Sequence, residues 1–180
     1  MWFADDGTTK AIGRIGTEQP AAPAAATPAT TTAAPGPAPK LRSLRLAPTA
    51  FPAASSGPSS RTAGSKRPPS TGTIVSFTLD LAGAVTYRVA RVRDGRRVGG
   101  RCAAPTRTSR RAKRCTRLVA VRGSFTRSAG RGRSSFRFTG RIGGRKLAPG
   151  SYQLQASPRA GGRNGATARA GFRVVSPTPR

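Results

Sequence analysis

The chain has 180 residues and carries 33 lysines and arginines against five acids, a formal charge of +28 at neutral pH, with no histidine and two cysteines. Without histidine, Ser-His-Asp and Cys-His catalysis and histidine-ligated metal sites are excluded from this chain. No apolar run approaches the roughly 20 residues that span a bilayer. The charge imbalance predicts attraction to polyanions, whether acidic wall polymers, nucleic acid or anionic surfaces, though a GC-rich genome produces the same arginine bias without selection for binding.

In chain order, Met1-Trp2-Phe3 reads as a short strand, Asp5-Asp6-Gly7 as a hairpin turn, and the segment to Ile12 and Ile15 as its return. Asp5 and Asp6 are the only adjacent carboxylates, and a turn is the commoner use of such a pair than a cation site. An isolated hairpin is marginal in water, so this one needs neighbours. The string WFADDGTTKAIGRIG resembles one repeat of the streptogramin-lyase-like β-propellers, the virginiamycin B lyase family, whose blades carry a W-F-x-(D/E)-x-G-x-x-K-I-G-R-I core. Here Ala11 is an extra residue between Lys10 and Ile12. The resemblance implies that residues 1–17 are the remnant of a last blade and that the chain is the C-terminal part of a longer protein. That family relies on histidines and acids lining the propeller centre. Only the blade core matches, so no catalytic residue carries over.

Residues 18–40 are almost entirely Pro, Ala and Thr and read as an extended linker with nothing to bury. From Leu41 the pattern changes to short alternating runs. Leu41, Leu44 and Leu46 before Pro48 suggest an edge strand. Residues 55–70, rich in Ser, Pro, Gly and Arg, read as a long mobile loop. Val75, Phe77, Leu79 and Leu81 share one face, and Ala82-Gly83 turns the chain tightly. Val85, Tyr87 and Val89 alternate with Thr86 and Arg88, with a slip of register at Ala90–Val92. Val119, Val121 and Phe125 point one way. Tyr152, Leu154 and Ala156 alternate with Gln153, Gln155 and Ser157, and Phe172 and Val174 close the series. About seven strands with glycine-rich turns and no helical period predict an all-β, antiparallel sandwich over residues 41–175, with residues 176–180 as a tail.

Cys102 and Cys115 enclose a loop with five basic residues and little apolar content. A disulfide is the leading reading, worth about 3 kcal/mol for a loop of this size. Zinc would need four ligands, and a reactive thiol, its pKa lowered by surrounding arginines, is the other alternative. Arg107, Arg110, Arg111, Lys113, Arg114 and Arg117 form the densest basic patch. It either grips phosphates or uronates through bidentate contacts or is a solvated loop kept open by self-repulsion. Phe136-Arg137-Phe138 superficially matches an aromatic–basic nucleic-acid strand, but alternation assigns both phenylalanines to the core. Gly140–Lys146 lacks the spacing of a phosphate loop and reads as a hairpin turn.

Leu147-Ala148-Pro149-Gly150-Ser151-Tyr152 resembles the tyrosine corner of immunoglobulin-like and fibronectin-III-like sandwiches, which makes Tyr152 structural. The block from Gly95 to Pro158 resembles an Arg-rich Ig-like module found at the C-termini of secreted or surface proteins of Solirubrobacter-type actinobacteria. The chain departs from it at Ala160–Asn164, where such modules carry an Asp before Ala-Gly-Asn. These resemblances imply an extracellular, monomeric, non-catalytic accessory module without a cofactor. It would tether a propeller and meet acidic cell-wall polymers or other polyanions nonspecifically. The alternatives are a fragment of a streptogramin lyase-like enzyme and a nonspecific nucleic-acid binder.

Overall fold

The computed structural model describes residues 36–64 and 70–177. The hairpin expected in residues 1–17 and the expected linker as far as residue 35 lie outside the described residues. The unit containing the described residues runs from Ala34 to Arg180. Its strands, in order, are β1 (Leu41–Ala47), β2 (Ala50–Pro52), β3 (Ser60–Thr62), β4 (Thr73–Leu79), β5 (Gly83–Val98), β6 (Arg101–Ala103), β7 (Arg114–Ala120), β8 (Phe125–Ala129), β9 (Gly132–Phe138), β10 (Arg141–Ile142), β11 (Arg145–Lys146), β12 (Gly150–Ala160), β13 (Arg163–Asn164) and β14 (Ala168–Val175).

Alternation in the sequence decides which side of each strand is buried. In β4, Thr73, Val75, Phe77 and Leu79 are buried while Ile74, Ser76 and Thr78 are only partly covered. In β12, Tyr152, Leu154 and Ala156 are buried between polar residues. Two sheets result. The first has the order β1-β4-β9-β3, and the second β2-β14-β12-β5, with β6, β7 and β8 on β5 and β13 on β12. Their inner faces meet through aromatic contacts: Phe77 and Phe136 against Tyr87, and Phe138 against Phe172. Phe51 stacks on Phe172 and meets the edge of Phe138. Each such ring contributes about 1.5–3 kcal/mol of burial. The fold is the all-β sandwich the sequence predicts, wired like an immunoglobulin domain. Its first strand switches sheets at Pro48, where β1 pairs β4 and β2 runs parallel to β14.

Four expectations need correction. Residues 55–70 are not wholly a loop, because Ser60, Arg61 and Thr62 pair with Phe138, Arg137 and Phe136 as edge strand β3. Residues 65–69 lie outside the described residues. In an Ig domain this edge is filled by a strand that follows the third strand; here a segment ahead of β4 fills it instead. Thr139 ties the segment down, its hydroxyl donating to Pro58 O at 2.8 Å and its N–H to Ser59 O at 3.0 Å. Among the described residues fourteen strands replace the expected seven or so, because short pairings at the turns and in the arm add to the long ones. Val119 does not share the inward face of Phe125: it is 37% exposed, whereas Phe125 stacks on Tyr87. The irregularity expected at Ala90–Val92 lies in the partner. β5 pairs continuously with β12, while on its other side β7 ends at Ala120 and β8 begins at Phe125, with four residues between them.

The segment Gly140–Lys146 forms the expected hairpin. β10 and β11 are joined by Gly143 and Gly144, both with positive φ, which the two-residue turn demands. Phe136 and Phe138 are 1% and 0% exposed, so neither is free to stack on a base.

Candidate polyanion interface

Beyond Arg91, β5 leaves its pairing with β12 and becomes the middle strand of an arm. β6 pairs on one side of it, at Arg96–Val98, and β7 on the other, at Ala90–Arg96. Cys102 in β6 and Cys115 in β7 are bonded to each other, with their Cα atoms 6.0 Å apart. The bridge therefore passes over β5, directly above Gly95. A Cβ at Gly95 would stand 2.5 Å from the Cys102 Sγ and 3.1 Å from the Cys115 Sγ, so only glycine fits beneath it. The requirement for Gly95 is not apparent without knowing which strands flank β5.

The six basic residues singled out in the sequence do not form one surface. Arg107, Arg110, Arg111 and Lys113 are exposed on the loop between β6 and β7. Arg114 and Arg117 belong to β7, where an odd spacing puts them on opposite faces. Arg117 is partly buried, and its Nε has no partner. Nor is the loop merely held open by repulsion. Ser109 is its buried hub, accepting from Thr106 N at 2.9 Å and Thr106 Oγ1 at 3.0 Å, while its carbonyl accepts from Ala112 N at 3.0 Å. From the strand below, Arg96 donates to Ala112 O at 3.0 Å.

The tyrosine corner is present. Tyr152 is buried and its hydroxyl donates to Ala148 O at 2.7 Å. Arg91 lies over the Tyr152 ring, 5.7 Å from its centroid, and donates to Pro149 O at 3.0 Å. Tyr87 contrasts with it. Its hydroxyl is buried without a partner, and burial raises its phenol far above the ordinary value, with the nearby Arg127 charge opposing that rise.

The basic surface the sequence reading missed is on the outer sheet faces. On the second sheet, register aligns Arg88 of β5, Gln155 of β12 and Arg169 of β14 across three adjacent strands. The next row holds Thr86 and Ser157, which bond to Thr126 at 3.1 Å and Thr167 at 2.8 Å. Apart from Thr126, these residues line an open groove of about 500 Å³ together with Arg159 and Asn164. On the first sheet, Arg42, Thr78 and Arg133 align in the same way, with Arg45, Ser76 and Ser135 beside them. Arg45, Ser76, Thr78, Arg133 and Ser135 line a groove of about 570 Å³ on that face. Strand alternation signalled the polar character of each strand separately, but the rows emerge only from cross-strand register.

Two groups of arginines differ in their partners. Arg91, Arg96, Arg127, Arg137 and Arg141 donate to the protein's own acceptors. The outward Arg42, Arg45, Arg88, Arg133, Arg159 and Arg169 are exposed, and none of them donates to another described residue. The only carboxylates among the described residues are Asp80 and Asp94, and neither lines either groove. Asp80 accepts from Lys40 N at 2.7 Å. Among the described residues no group of three metal-ligating side chains occurs, and no helix is long and apolar enough to cross a membrane. No protein-family model matches the chain, and no curated protein matches it.

Proposed function

We propose that this chain is a non-catalytic accessory module that acts outside the cell, holding a β-propeller parent against an acidic wall or matrix polymer. The observation that supports this reading most directly is the set of outward guanidiniums on the two sheet faces, which have neither internal acceptors nor carboxylates beside them. Arginine in this state is available for bidentate contacts to carboxylate or phosphate. The Cys102–Cys115 bond fits an oxidising compartment. The propeller assignment rests on the sequence of residues 1–16 alone.

Binding of this kind is electrostatic and blind to base sequence. The full chain is expected to be retained on an immobilised acidic polysaccharide at low salt and released as salt rises, since each neutralised charge frees a condensed counterion. No retention at low salt overturns the proposal. So does a preference of about a hundredfold for one DNA sequence that persists at high salt, which would establish nucleic-acid recognition in its place.

A further inference from the structure

We infer that the sandwich is bivalent: it bridges two chains of a carboxylate-bearing polysaccharide, one on each outer sheet face. The inference rests on the polyanion reading above and extends it to number and geometry. The two faces repeat one arrangement. Arg88–Gln155–Arg169 on the second sheet and Arg42–Thr78–Arg133 on the first each place two arginines two strands apart with a hydrogen-bonding side chain between them. Strands lie about 4.8 Å apart, so each pair spans about 10 Å, a length comparable with two linked sugar rings. The polar residue between them is suited to sugar hydroxyls.

The first sheet bears a further mark of this arrangement. Arg42 and Arg45 are three positions apart and would face opposite sides of a regular strand. A bulge between them, with Ser43 at φ 55°, turns both outward, opposite Thr78 and Ser76. A serine in the left-handed region is strained, so the local backbone departs from its preferred conformation where both arginines are turned to the outer face, Arg45 lining the groove and Arg42 opposite Thr78.

The occupant follows from what the faces offer and lack. Every aromatic residue of the sandwich core, from Phe51 to Phe172, points inward, so neither face can stack bases as single-stranded nucleic acid requires. Alternating guanidiniums and hydroxyl or amide groups instead suit a polymer that alternates carboxylates and hydroxyls. The sheets stack about 10 Å apart and the arginines reach outward from each. The two sets are therefore separated by more than the ~8 Å screening length at physiological salt, and one bound chain leaves the other face charged.

The test uses the full chain with polygalacturonate and a short oligogalacturonide. Calorimetry with the oligomer is expected to give two sites per chain; one site overturns the inference. With the polymer, light scattering is expected to rise and then fall as protein is added, as a bridging agent behaves. Arg88→Gln/Arg169→Gln and Arg45→Gln/Arg133→Gln each remove two charges from one face. Each is expected to halve the site number and lower the scattering at least tenfold while leaving the other face binding. Arg110→Gln/Arg111→Gln, with the same loss of charge on the arm, is expected to change scattering less than twofold. Equal losses in all three variants, or no loss in either face variant, overturn bridging in favour of diffuse charge. Equal cross-linking of duplex DNA at the same salt overturns the choice of occupant. One-site binding defeats only the bivalency, whereas no binding at all defeats the polyanion reading with it.

Discussion

The sandwich body and the arm projecting from it share one long strand, β5, and are held together by different chemistry. In the body, Val85, Tyr87 and Val89 of β5 enter a buried cluster with Phe77, Phe136, Phe138, Leu154 and Phe172. In the arm, Arg93 to Val98 of the same strand contribute nothing to that cluster. Val98 and Leu118 are 51% and 48% exposed, and stability falls to strand pairing, the Ser109 hub and one disulfide. The body supplies hydrophobic burial, and the arm, which has almost none, is closed by a covalent bond in its place. The changeover comes where polar and basic residues displace the apolar alternation in β5, so the difference is encoded one residue type at a time.

The largest way to break the comparison is through the body. Phe138→Ala removes a ring that meets Phe51, Phe125 and Phe172. It is expected to cost about 3–5 kcal/mol, read as a lower denaturant midpoint of the whole domain. A loss confined to the arm would show that the two regions are not divided as described.

The next test acts on the arm alone. Cys102→Ser/Cys115→Ser is expected to lose about 3 kcal/mol by the chain-entropy account of loop closure, with amide exchange accelerating in β6 and β7 far more than in β12. Uniform acceleration across β12 and β14 would make the disulfide a global determinant and erase the contrast.

Two tyrosines sharpen the picture within the body. Tyr152→Phe deletes the bond to Ala148 O and is expected to cost on the order of 1 kcal/mol; an unchanged unfolding midpoint would remove the corner from the stabilising interactions. Tyr87→Phe deletes a hydroxyl that has no partner, so the midpoint at neutral pH is expected to stay level or rise. Because burial raises the folded phenol, the parent's Tyr87 contribution is intact below the unfolded value of about 10 and is lost as pH climbs above it. The variant should therefore show a flatter stability profile above that pH. A lower midpoint at neutral pH would mean that the hydroxyl has a role the geometry does not reveal.

The body was readable because burial there follows period two along single strands. Val75-Phe77-Leu79 and Tyr152-Leu154-Ala156 announce their inner faces without any knowledge of partners. What sequence reading missed depends on partners. Ser60-Arg61-Thr62 carries no apolar signal, and its place comes from backbone bonds to β9 alone. Gly95 is required because the two cysteine sulfurs and the Ala103 carbonyl from the flanking strands crowd above it. The charged loop drew notice because its arginines are neighbours in sequence. The arginine rows on the sheets went unread because Arg42 and Arg133, or Arg88 and Arg169, become neighbours only once the strands pair. Arg42 and Arg45 also needed a bulge that no residue pattern announced.

The closure of the arm has a consequence for its response to trypsin-like proteases. Arg110 and Arg111 are exposed in the loop between Cys102 and Cys115, which presents an accessible dibasic target to trypsin-like enzymes. A cut there would separate the chain into two polypeptides, one ending in the loop and one beginning in it. The disulfide would still join them, and β6 and β7 would each remain paired to β5. A nicked molecule would therefore migrate as two fragments only after reduction and would keep both sheet faces assembled. This exposed dibasic target thus lies where a break releases nothing.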